Sequence, residues 1–317
     1  MLRKTLWAQR YSHGQALGSR PVSEQRAQAG AVEIVYETIG DPGDPTLLLV
    51  MGLGTQLIHW DTELCEQLAD RGFRVIRFDN RDAGRSTTIK APAPPLARVL
   101  SGARVKAPYL LDDMAGDAFG LLDHLGVERA HVMGVSMGGM IAQTMAIGRP
   151  ERVLSLASIM STTGNRRVGF PRLRGLNMLL RRAARTRDAY VEQSVGIFRQ
   201  IGSPGFQTDE ARLRRQAGAA YDRGYNPAGT ERQLAAIVAS GDRTARLREL
   251  HVPTVVIHGK EDPLIPFRAG VATTRAIPGS EFLAIPGMGH DLPRQVWPRL
   301  VDAVVANSRR ARAPQAA

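Results

Sequence analysis

The chain is poor in cysteine, in aromatic residues and in long apolar runs, and each shortage removes a class of protein. A single cysteine, Cys65, among 317 residues excludes an internal disulfide. It fits a reducing compartment, and a cytoplasmic location is expected. Aromatic residues make up only 5% of the sequence; no RNP-like aromatic motif, zinc-finger spacing or helix-turn-helix accompanies the basic residues, so no nucleic-acid partner is expected. No stretch approaches the roughly 20 consecutive apolar residues that cross a bilayer. No pair of histidines has the spacing of a metal site and no phosphate-cradling glycine loop occurs, so neither metal nor cofactor is expected.

What the chain has in excess is arginine, unevenly placed. The formal net charge is +12. Residues 165–250 hold 17 arginines, no lysine and 8 acidic residues, while residues 1–30 carry 5 basic groups against the single Glu24. The last ten residues add 3 arginines, and the remainder is mildly acidic. The first 30 residues lack the continuous apolar region of a secretory signal and read as a basic flexible tail, as do residues 308–317. The stretch from Arg172 to Arg182 alternates leucines and methionine with arginines. It has two readings: an apolar face covering a site with solvated arginines, or peripheral contact with an anionic membrane.

From residue 31 onward the pattern alternates strands and helices. Ala31–Thr38 reads as a first strand, Thr46–Met51 as an apolar run of the kind that fills a parallel strand covered on both faces, and Phe73–Phe78 as another strand. Cys65 lies in an amphipathic helical stretch and is read as a small buried apolar residue. Further strands end at Val135 and cover Val153–Met160, Val252–His258 and Glu281–Ile285, with helical segments between them. Such alternation predicts an α/β fold with a mostly parallel central sheet and helices on both faces. Residues 31–164 and 251–307 form the expected core, and residues 165–250, which have helical patterning and no strand, are read as an inserted helical cap. Open α/β sheets bind their ligands at the carboxyl edge such a cap would cover.

One turn in this frame carries chemistry. Gly134-Val135-Ser136-Met137-Gly138 follows an apolar strand and precedes a helical stretch, so its serine stands on a sharp bend with Oγ clear of the chain. In a chain with 32 glycines the pattern also arises by chance, and a simple turn serine is the alternative. Downstream, Gly259-Lys260-Glu261-Asp262-Pro263 follows a strand, and Ile285-Pro286-Gly287-Met288-Gly289-His290 ends another. Asp262 could equally begin a helix as its N-cap. Upstream, Val50-Met51-Gly52-Leu53-Gly54 closes the strand that begins at Thr46.

In these four pieces, taken in the order serine, acid, histidine, the chain resembles the α/β-hydrolase superfamily over nearly all of residues 31–307. The resemblance implies a catalytic triad of Ser136, Asp262 and His290, an oxyanion hole made by the backbone N–H groups of Leu53 and Met137, and no metal. The sequences Arg77–Thr87 and Ile285–Pro293 resemble the serine esterase branch that contains the aclacinomycin methylesterase and mycobacterial lipase-like esterases. The turn Asp79–Ser86 resembles the family's Asp-x-Arg-Gly-x-Gly-x-Ser, with Asp82 where glycine is usual, and is read as structural. His59, just after the oxyanion loop, is a candidate pocket-lining residue.

The chemistry needs these residue types. A serine hydroxyl becomes a useful nucleophile when an imidazole takes its proton, and a carboxylate on the far ring nitrogen fixes the tautomer and stabilises the imidazolium. The expected reaction is hydrolysis of a small-molecule carboxylic ester through an acyl-enzyme. Thioester cleavage, cofactor-free haloperoxidase or perhydrolase chemistry and carbon–carbon bond hydrolysis use the same triad. A non-catalytic ligand-binding member of the fold is the alternative of a different class.

Overall fold

The computed structural model describes residues 23–101, 105–169 and 183–311. The alternating stretch Arg172–Arg182, most of the basic N-terminal tail and residues 312–317 lie outside the described residues, so the membrane reading of that stretch stands as an expectation.

Eight strands form one sheet: β1 (Gln25–Ala29), β2 (Val32–Ile39), β3 (Thr46–Val50), β4 (Arg74–Phe78), β5 (Ala130–Val135), β6 (Val153–Ile159), β7 (Thr254–Gly259) and β8 (Glu281–Ile285). Their spatial order is β1-β2-β4-β3-β5-β6-β7-β8. β1 and β2 pair antiparallel, as do β2 and β4, and every later pairing is parallel. Strands β3, β5 and β7 are buried at every position, as a sheet covered on both sides requires. β1 corrects the reading of a flexible tail through residue 30. Ala27 and Ala29 turn into the core, and Ala29 packs so close to Gly120 that a Cβ there would collide with it.

Among the described residues, five helices of nine or more residues cover the sheet. On one face lie α2 (Leu111–His124), α3 (Met137–Gly148) and α7 (Phe267–Ala276), which share a core with the inward side chains of β2 and β3 such as Ile34, Leu48 and Val50. On the other lie α1 (Thr62–Asp70) and α8 (Trp297–Arg310), packed on Leu47, Leu49, Val255 and Ile257. The alternation of Leu47 and Leu49 to one side and Leu48 and Val50 to the other is the period of two that puts successive side chains on opposite faces. α8 runs to Arg310, so the helix continues past Asn307 into the segment read as a tail. Cys65 is fully buried in α1 and its thiol is pushed up to about 12 by burial, as an inert apolar filler would be.

Between β6 and β7 the chain forms α4 (Arg187–Ile201), α5 (Glu210–Gly224) and α6 (Pro227–Ser240). Thr186, Asp209 and Asn226 cap these three helices by accepting hydrogen bonds from N–H groups of their first turns, the chemistry that makes short polar residues helix starters. The arginines of this region are largely committed to carboxylates within the protein. Arg187 pairs with Asp222, Arg199 with Glu210, Arg212 with Asp61 and Arg214 with Glu192. Two further pairs are buried and join the helices to the core turn Asp79–Ser86: Arg223 to Asp79, and Arg232 to Asp82. Six arginines of these three helices thus hold the helices to one another and to the core.

Candidate active site

Ser136 stands between β5 and α3 with φ 55° and ψ −120°, a conformation that costs an L-residue of order 1–3 kcal/mol unless its surroundings impose it. The surroundings do. A Cβ at Gly134 would run into the carbonyl of Gly138, and one at Gly138 into the carbonyls of Val50 and Met51. Only glycine lets β3, β5 and α3 approach this closely. Ser136 N–H donates to Ile159 O at 2.9 Å, and Ser161 Oγ donates to Ser136 O at 2.8 Å, so the strained residue is tied on both sides.

The other polar groups arrive from neighbouring strand ends. Asp262 follows β7 and His290 follows β8. His290 Nε2 lies 3.0 Å from Ser136 Oγ, and its Nδ1 lies 2.7 Å from Asp262 Oδ2. Asp262 Oδ1 accepts from the N–H groups of Leu264 at 2.9 Å and Ile265 at 2.8 Å. The N-cap-like role and the pairing with histidine, alternatives in the sequence, therefore coexist on the two oxygens of one carboxylate. His258 Nε2 lies 3.6 Å from Asp262 Oδ2 and donates to Ile265 O at 2.9 Å. Burial lowers the pKa of His258, against the opposing pull of the Asp262 carboxylate.

The segment after β3 lies along the serine turn. An ideal Cβ on Gly52 would be 3.4 Å from Ser136 Cβ, and the turn from Gly52 closes with Thr55 N–H donating to Gly52 O at 3.3 Å. Leu53 and Ser136 line the same cavity. The Met137 N–H is the first of α3 and has no acceptor within its helix. The turn read as structural does hold this segment: Asn80 Nδ2 donates to Met51 O at 3.0 Å, and Asp79 Oδ1 accepts from Leu57 N–H at 2.7 Å. Asp82 has φ 67°, the left-handed region that explains why glycine suits this place in related turns. Here the carboxylate is held by Arg232, Tyr109 and the Ile89 N–H.

The cavity has a volume of about 1160 Å³. Ser136 and His290 lie in its wall, with Met140 and Leu264 from the sheet layer and Tyr190, Phe198, Tyr225 and Leu234 from the helices between β6 and β7. Tyr190 and Tyr225 pack with ring centroids 4.7 Å apart. His59 also lines the cavity, half-buried, with Nδ1 3.0 Å from Gln56 N. Burial pushes its pKa down to about 4. The folded chain thus keeps His59 neutral between about pH 6.5 and pH 4 while the unfolded chain takes up a proton there, so stability falls as the pH drops through that window. His59→Gln is expected to flatten that part of a plot of unfolding midpoint against pH; a curve parallel to wild type would disprove the assignment.

Sequence reasoning missed a clasp on the histidine loop. Ser203, just beyond α4, donates from Oγ to Asp291 and accepts from Gly289 N–H at 2.9 Å, while His290 N–H donates to Ile201 O at 2.6 Å. Burial raises the pKa of Asp291. No motif marks Ser203, because its partner lies 88 residues away. Among the described residues no cluster of histidine, cysteine and acidic groups could hold a metal ion, and no helix is long and apolar enough to cross a membrane.

A strand-turn-helix serine, a histidine and an aspartate at the carboxyl ends of β5, β8 and β7, under a set of helices inserted after β6, define the α/β-hydrolase class. Residues 45–293 match the family of the alpha/beta hydrolase fold, and the chain belongs to it. It is 31% identical to rhodomycin D methylesterase DauP of Streptomyces sp. (strain C5) over 301 residues, covering 88% of this chain and 96% of the relative. Rhodomycin D methylesterase DnrP of Streptomyces peucetius is 30% identical over the same shares. In fold, the chain is similar to the enol-lactonase from Burkholderia xenovorans LB400, with a TM-score of 0.70 and 21% identity over 89% of this chain and 99% of that one.

Proposed function

We propose that this ester-hydrolysing member of the family is a serine esterase that works through an acyl-enzyme. The observation that carries the reading is the unbroken chain from Ser136 Oγ to His290 Nε2 at 3.0 Å and from His290 Nδ1 to Asp262 Oδ2 at 2.7 Å, opening onto a large cavity. Ser136 Oγ attacks the ester carbonyl carbon as His290 Nε2 takes its proton. Asp262 keeps Nδ1 protonated and stabilises the imidazolium. The N–H groups of Leu53 and Met137 receive the developing oxyanion, each such donor typically supplying about 3 kcal/mol of transition-state stabilisation. Collapse of the tetrahedral species expels the alcohol, which takes the proton back from Nε2. Water, deprotonated by the same nitrogen, then cleaves the acyl-serine and releases the acid.

The likeness to two methylesterases supports a methyl or other small alkyl ester of a large molecule, with the helices of residues 183–250 acting as the cap that shapes the acyl side. The cavity agrees in size, exceeding the ~300–1,000 Å³ of sites that enclose drug-sized ligands. His59 is assigned to the cavity wall that contacts substrate.

The test is covalent. Wild-type protein is expected to hydrolyse short- and medium-chain p-nitrophenyl esters and to gain one equivalent of a fluorophosphonate, located on the peptide containing Ser136 by mass spectrometry. An inactive, unlabelled protein, or a label on another residue, would overturn the mechanism.

A further inference from the structure

The oxyanion segment Gly52–Thr55 is held from above, by a residue on the inserted helices rather than by the core. Gln233, on α6, is fully buried. Its Oε1 accepts from Gly54 N–H at 2.8 Å and its Nε2 donates to Arg81 O at 2.8 Å. Both ends of the amide are thus satisfied, one on the oxyanion segment and the other on the turn that supports it. The neighbouring Arg232 grips Asp82 of the same turn through two hydrogen bonds of 2.8 and 2.7 Å. Gly54 has φ 66°, and Thr230, one turn earlier on α6, packs so tightly against its Cα that an ideal Cβ would lie 2.7 Å from Thr230 Oγ1.

A glycine-rich turn has low barriers to peptide reorientation, because glycine populates both signs of φ. The geometry of the turn is therefore not fixed by its glycines alone. The Leu53 N–H belongs to the planar Gly52–Leu53 peptide, whose carbonyl accepts from Thr55 N–H at 3.3 Å and Thr55 Oγ1 at 2.8 Å, and the next peptide, Leu53–Gly54, is pinned at its N–H by Gln233. With both peptides held, the turn cannot flip and the Leu53 N–H keeps one orientation.

We infer that Gln233 is a positioning residue that presets the oxyanion donor at Leu53, so that docking of α6 on the core completes the active site. The inference rests on the serine-esterase reading, in which Leu53 N–H is a donor. Gln233 does not border the cavity, so it acts on rate and not on substrate affinity. Electrostatic stabilisation of the transition state depends on donors already in place before charge develops.

Gln233→Met keeps the side-chain length and removes both hydrogen bonds. On p-nitrophenyl butyrate it is expected to lower kcat about ten- to a hundredfold, less than the roughly hundred- to thousandfold loss on removing a whole oxyanion donor, and to leave KM within threefold. Affinity for an alkyl trifluoromethyl ketone, to which Ser136 Oγ adds to give a tetrahedral oxyanion while His290 takes the proton, should weaken by the same factor as kcat/KM. A folded Gln233→Met enzyme with wild-type kcat and ketone affinity, or one whose loss lies in KM, would overturn the inference. Should that variant not fold, Gln233→Asn, whose amide is one methylene short of Gly54, is read by the same outcomes. Ser136→Ala, assayed in parallel, separates the two readings: full activity there defeats the serine mechanism itself, whereas an inactive Ser136→Ala beside an unimpaired Gln233→Met defeats the positioning role alone.

Discussion

Ser136→Ala is expected to lower kcat for p-nitrophenyl ester hydrolysis by roughly ten-thousand- to million-fold while KM changes little. In the proposed mechanism the hydroxyl oxygen forms the acyl bond, so its loss removes covalent catalysis and leaves only binding and the oxyanion donors. The fold should be untouched: the side chain makes no capping bond to α3, and alanine occupies the same left-handed position with the same supports at Ile159 and Ser161. Steady-state kinetics with a matched thermal melt checks both halves. Residual activity within tenfold of wild type would mean that another group opens the ester. In the same mechanism His290 and Asp262 act as a unit with the serine, so combining their substitutions with Ser136→Ala should cost little more than the single change.

The largest effect on stability is expected at Arg232. Its guanidinium and the Asp82 carboxylate are both buried, at 5% and 1% exposure. Arg232→Met leaves the carboxylate with only Tyr109 Oη–H and Ile89 N–H as donors and without its counter-charge. Breaking one partner of a buried pair costs about 3–5 kcal/mol, because the surviving charge stays out of water uncompensated. For a chain of this size that is on the order of a 10 °C fall in unfolding midpoint. Adding Asp82→Asn should restore most of the loss, since asparagine tolerates the left-handed backbone at this position and carries no charge. A loss below about 1 kcal/mol for the single variant, or no recovery in the double, would show that the pair does not carry the docking of α6.

Much of the frame was legible before any coordinates. The apolar run of β3 and the strand-turn-helix at Ser136 are local patterns, and local patterns report on local structure: continuous apolar residues mean burial on both faces, and paired glycines around a serine mean a tight bend. The order of serine, acid and histidine named the class, and the structure brings those three side chains within hydrogen-bond reach. β1 was missed because Gln25–Ala29 is short and polar, and becomes a strand only by pairing with β2 at the edge of the sheet. The partners of the arginines on α5 and α6 were not legible for a related reason. Composition counts charges but does not see that Asp61, Asp79 and Asp82, distant in sequence, come to meet them.

The sequence by itself determined the fold class and the residue types available for chemistry, because hydrophobic period, turn glycines and strand-end motifs are properties of neighbouring residues. Only the tertiary structure decided how the site is held. Gln233 reaches Gly54 across 179 positions, Arg223 reaches Asp79 across 144, and Ser203 reaches Asp291 across 88. Such contacts leave no periodic trace: each is a single buried polar group that must find its partner or forfeit the hydrogen bonds it gave up to water, and the chain meets that requirement only once the helices after β6 have settled on the sheet.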